Sequence, residues 1–157
     1  MRSHDPGVVL RPPNRYGPLM TKGAPAAHIP AAEPLESATE RGLVLVSFDI
    51  DGTLEDGDPP GPVPMSLPSH AQRLGYVVGS ASDRTLSEQS RIWADRGIEP
   101  DFVSHKHTLG SVVARFPTLR RVHIGDTHVD EHYARLAGFE FVLAAGLPPA
   151  GSPGWIF

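Results

Sequence analysis

The chain has 157 residues, a formal charge of −4 and no cysteine, which excludes a disulfide scaffold, a thiolate zinc site and a cysteine nucleophile. No apolar run approaches the roughly 20 residues of a membrane span, and the absence of a basic block argues against non-specific nucleic-acid binding. Pro and Gly number 17 and 16, so part of the chain falls outside regular structure.

The first segment, residues 1–41, is rich in Pro and Ala and carries one aromatic, Tyr16. It buries too little to offset the entropy of ordering, so a flexible extension is expected, with a short helix around Glu33–Arg41. It has no long apolar stretch of the secretory kind, and a cytoplasmic location is expected. From Gly42 the pattern changes, and a folded domain is expected over 42–147, followed by a tail over 148–157.

Leu43–Phe48 is a largely apolar run ending at Asp49, as in a central parallel strand buried on both faces. Residues 55–68 form a Pro/Gly/acid loop, and a short helix is expected at about 67–74. Tyr76–Ser80 is the second strand. Thr85 and Glu88 make a capping box that opens a helix of about 86–96, closed by Gly97. A third strand at Asp101–Ser104, a short helix at about 108–115, a fourth strand at Arg121–Gly125, a helix over 128–137 and a fifth strand at Glu140–Leu143 complete the series. Strands alternating with helices at this spacing predict a three-layer, doubly wound α/β domain with a Rossmann-like parallel sheet of about five strands. Ligands in such sheets bind at the carboxyl ends of the strands.

The chemically notable residues fall at those ends. Asp49 and Asp51 share a face if the strand continues, and two carboxylates so close call for a cation or a shared proton; both also suit an Asx-type turn. Gly52 and Thr53 follow with amides able to face an anion. Ser80 ends the second strand, with the Ala81 amide beside it. Lys106 follows the third strand, and Asp126 and Asp130 follow the fourth, where acids also suit a helix N-terminus. Each residue alone has an ordinary structural role open to it.

In this order the pieces FDIDGTL, YVVGS, Lys106 and HIGDTHVD resemble the four motifs of the haloacid dehalogenase-like (HAD) hydrolase superfamily, over about residues 42–145. The resemblance implies that Asp49 is a nucleophile forming an aspartyl-phosphate and that Asp51 is the general acid and base. It implies that Ser80 binds phosphoryl oxygens and that Lys106 offsets charge there. Asp126 would bind Mg²⁺ with Asp49 and the Asp51 backbone carbonyl, and Asp130 would assist directly or from behind. Gly52, Thr53, Ser80, Ala81 and Arg84 are the expected substrate contacts.

Asp51 favours phosphoester hydrolysis over halide displacement, because a halide needs no proton. A phosphonate hydrolase would add a Schiff-base lysine from a cap, and no candidate is present. Only 28 residues lie between Asp51 and Ser80 and 25 between Ser80 and Lys106, which leaves no room for an inserted cap domain. The expected enzyme is therefore a capless phosphatase acting on a phosphorylated substrate, its open site flanked by a flap at 55–68 or covered in a homo-oligomer. Two other readings stand beside it: a HAD-like binding or regulatory module, and a nucleic-acid end phosphatase, against which the negative charge weighs.

His128 and His132 sit two positions out of step with Asp126 and Asp130, about 200° away on a helix, so histidines and acids are not expected to share a site. His105 and His107 flank Lys106 as loop residues within reach of substrate. Trp93 and Ile92 are expected to pack helix against sheet, and Trp155 to anchor the tail.

Overall fold

The structure, a computed structural model, describes residues 7–10, 44–149, 151–153 and 155–157. The helix expected around Glu33–Arg41 lies outside the described residues. Val8–Leu10, inside the segment expected to be flexible, form a strand, β1.

Strand β2 (Val44–Phe48) has side chains that are apolar on both faces, and the sheet buries both. Val46 and Phe48 enter one core with Val78, Trp93, Val122 and Ile124, while Leu45 enters a second with Ala81, Phe102, Leu109 and Val112. The other elements follow in order: α1 (Ser66–Arg73), β3 (Val77–Ser82), α2 (Leu86–Asp95), β4 (Phe102–His105), a 3₁₀ turn (Lys106–Thr108), α3 (Leu109–Arg115), β5 (Arg120–Gly125), α4 (His128–Leu136) and β6 (Glu140–Leu143). Sheet order is β1-β4-β3-β2-β5-β6. Strands β2 to β6 are parallel, and β1 adds an antiparallel edge. The result is an α/β fold with a six-stranded, mostly parallel sheet, one strand more than expected.

From β2 the chain crosses first to β3 and β4 on one side, then returns to β5 and β6 on the other. That reversal opens a crevice at the carboxyl end of β2, the position where doubly wound sheets place their ligands. The stretch between β2 and β3 holds only a loop and α1. The loop folds back on the turn after β2: Val63 N donates to Thr53 O, Gly61 N to Leu54 O and Glu55 N to Val63 O. The C-terminal residues are part of the core, with Ile156 buried and its carbonyl accepting from the Tyr76 hydroxyl. No helix among the described residues is long and apolar enough to cross a membrane.

Candidate functional site

Asp49 is the first residue past β2, and its amide donates to Ile124 O of β5 at 2.9 Å, which fixes its backbone between the two central strands. Its side chain is almost fully buried. One carboxylate oxygen from each of Asp49, Asp126 and Asp130 lies within 4.8 Å of the others, a cluster able to hold a metal ion. Asp49 and Asp130 are buried and Asp126 is exposed, so the cluster has one open side. Carboxylate oxygens are hard donors, suited to a hard cation rather than to a soft metal.

Two glycines make this approach possible. A Cβ on Gly52 would meet Asp126 Oδ2 at 2.0 Å, and the residue has φ +72°. A Cβ on Gly125 would meet the Asp130 Cβ at 2.6 Å. Any side chain at either position would push an acid out of place.

Asp130 has two duties. As the third residue of α4 it completes a capping box with Thr127, and its Oδ2 accepts from the amides of Asp126 and Thr127 and from the Thr127 hydroxyl. Its Oδ1 meets the Lys106 ammonium at 2.8 Å. The capping role and the inward-facing role, alternatives in the sequence, are held by one carboxylate. Lys106 also lies 3.6 Å from Asp49 Oδ1 and 3.1 Å from Asp83 Oδ2.

The electrostatics follow from burial and from the Lys106 ammonium, the one buried cation among the described residues. Burial, reinforced by the Asp130 charge and only partly offset by Lys106, raises the Asp49 pKa to about 8. Burial also opposes ionisation of Asp130, but the neighbouring His123 imidazole, the Lys106 ammonium and the Thr127 donors win and hold it well below the usual carboxylate range. Burial opposes the Lys106 charge as well, yet the Asp130 contact and the Asp49 charge leave its pKa raised. Once Asp49 is ionised, it and Asp130, with the exposed Asp83, set three negative charges against one ammonium, a surplus that a divalent cation would neutralise.

Asp51 stands apart from that cluster. Arg84 Nε contacts both of its carboxylate oxygens at 3.0 Å, and the Asp58 amide donates to Oδ1 at 2.7 Å. Burial opposes its ionisation, but these donors outweigh it and lower the pKa. Arg84, expected as a substrate contact, is thus paired within the protein.

Several expected contacts are placed elsewhere. Ser80 pairs in register with Phe48, a residue short of Asp49. Its hydroxyl donates to Gln89 Oε1 at 2.7 Å and accepts from Trp93 Nε1 at 3.0 Å, fully buried under α2. The hydroxyl therefore does not face the carboxylates. The strand continues for two more residues, and Ser82, in register with His105 just before Lys106, occupies its end. The sequence pattern ends this strand at Ser80 and so does not single out Ser82. The uncharged run to Asp83, the first charged residue after it, was the available signal. The Gly52 amide donates to Pro59 O and the Thr53 amide to Ile50 O, so both are committed to the turn and the folded loop. The Ala81 side chain is buried in the second core.

Of the histidines, His123 corrects the expected separation from the acids. It is fully buried on β5, with Nδ1 3.0 Å from the Ser47 hydroxyl and Nε2 3.8 Å from Asp130 Oδ1. Burial lowers its pKa, so it is neutral there. His128 and His132 are exposed, and the rings of His105 and His107 stack on each other at 5.5 Å. A cavity of about 400 Å³ lies between α1 and the C-terminal residues, lined by Leu67, His70, Arg73, Leu147, Trp155 and Phe157 among others. None of the carboxylates borders it. Compared with known protein families and with curated proteins, the chain matches none.

Proposed function

We propose that the protein is a Mg²⁺-dependent phosphomonoester hydrolase of the HAD type, working through Asp49. The observation that carries this reading is the buried Asp49 at the end of the central strand, with Lys106 and two further acids converging on it. Supporting it is the DxDGT sequence on which Asp49 lies, followed in order by Lys106 and GDxxxD.

Asp49 attacks phosphorus, the ester P–O bond breaks, and the departing alkoxide takes a proton from Asp51. Water then attacks the aspartyl-phosphate, Asp51 takes its proton, and phosphate leaves with Asp49 restored. Mg²⁺, held by Asp49 and Asp126, would supply the charge that lets a phosphate dianion approach a carboxylate. Asp130, with Oδ2 taken by three donors, orients Lys106 toward the same centre. Before Asp51 can carry a proton its pair with Arg84 must open, and a phosphoryl dianion is a natural competitor for that guanidinium.

The test uses an aryl phosphate with Mg²⁺. Asp49→Asn is expected to lower kcat by about 10³-fold or more, and chelation to abolish turnover until Mg²⁺ is restored. Full activity in either case refutes the mechanism.

A further inference from the structure

We propose that the N-terminal strand β1 positions the Lys106 ammonium, so that residues far outside the recognised motifs help set the geometry of the site. Strand β1 pairs with β4 in the register Val8↔Ser104, Val9↔Val103 and Leu10↔Phe102. Just before it, one carbonyl oxygen, that of Gly7, accepts from His105 N at 3.4 Å and from Thr108 Oγ1 at 3.2 Å. Those two residues bracket Lys106. The same Thr108 hydroxyl lies 3.0 Å from His105 O, closing the turn on itself.

A second observation points the same way. Thr108 is the N-cap residue of α3, where a threonine hydroxyl normally accepts from a helix amide. Here it makes no such bond; the hydroxyl is directed at the Gly7 and His105 carbonyls instead. The helix forgoes its cap and the Lys106 turn gains a tie to β1. The turn must be held closely, because the ammonium meets three carboxylates from separate elements: Asp130, Asp83 and Asp49. A displacement of about 1 Å at such a centre is enough to cost up to 10²-fold in rate.

The catalytic consequence rests on the role proposed above for Lys106, but the placement can be tested without it. In the full chain, Val9→Pro removes an amide and cannot sustain the ladder, while Val9 is 47% exposed, so little core packing is lost. Thr108→Val removes the hydroxyl, and Thr108→Ser retains it. Three readouts apply: hydrogen exchange at the His105 amide, acylation of the Lys106 amine by mass spectrometry with Lys22, the one other lysine, as internal reference, and kcat and KM for an aryl phosphate.

Val9→Pro and Thr108→Val are expected to speed His105 exchange and to raise Lys106 labelling several-fold relative to Lys22. They should lower kcat about tenfold with KM held within about twofold, the pattern of a misplaced transition-state contact. Thr108→Ser should behave as wild type. Faster His105 exchange with unchanged labelling and kcat overturns the proposal, as does unchanged exchange in both variants. Labelling that rises as expected in a protein without turnover supports the positioning and removes the phosphatase reading.

Discussion

Two serines on β3 stand one pleat apart and have different surroundings. Ser80 is tied between Gln89 and Trp93, so Ser80→Ala should cost about 1–3 kcal/mol through the buried groups left unpaired, read as a lower urea midpoint, with kcat/KM unchanged. Ser82 lies at the strand end, where its hydroxyl accepts from the Arg84 amide at 3.1 Å; Ser82→Ala is expected to lower kcat/KM about tenfold, the size of one lost hydrogen bond to a charged group. The reverse ranking would return Ser80 to the site. Asp49 gives the metal-free protein a distinct pH dependence. Its pKa rises from 3.8 in the unfolded chain to about 8 in the fold, so the folded state holds the extra proton and its stabilising effect is lost as pH climbs toward 8. The lowered pKa of His123 acts in the opposite sense, but only below its ordinary value of 6.5. Between about pH 7 and 8 the urea midpoint should therefore fall, then level off. Asp49→Asn should abolish the fall, and saturating Mg²⁺ should suppress it.

At the level of elements, two helices begin with the same capping box and serve different ends. In α2 the box joins Thr85 to the outward-facing Glu88, and in α4 it joins Thr127 to the buried Asp130. Thr85→Ala and Thr127→Ala should each cost about 1 kcal/mol in denaturant titration, but only Thr127→Ala should also lower turnover, because it frees the carboxylate that orients Lys106. Equal activity in the two variants would confine Asp130 to capping. The elements themselves were legible to different degrees. Strands β2 to β6 and helices α1 to α4 were readable because apolar runs, capping residues and terminal glycines recur at fixed spacings. Strand β1 was not, since three residues among prolines carry no periodicity, and only pairing with β4 makes them a strand. The contact of His123 with Asp130 was hidden for a related reason. Angular position on α4 ranks residues of that helix alone, whereas this contact joins a β5 side chain to the helix lying over it.

Across the whole molecule, topology gathers what the sequence scatters. Asp49, Lys106 and the Asp126/Asp130 pair come from the ends of β2, β4 and β5, and they meet because those strands are parallel and the chain reverses at β2. The order of motifs along the chain was enough to anticipate that meeting. It could not show which donors were already taken, because the 55–68 loop commits the Gly52 amide and Arg84 commits Asp51 only once the chain is folded. The buried imidazole of His123 has a practical consequence. A ring N–H shut away from water beside Ser47 and Asp130 should exchange slowly enough to give a resolved resonance far downfield in a proton NMR spectrum. Because Asp130 adjoins the carboxylates that would take a cation, titrating Mg²⁺ should move that one signal, giving a readout of ion binding that needs no substrate at all.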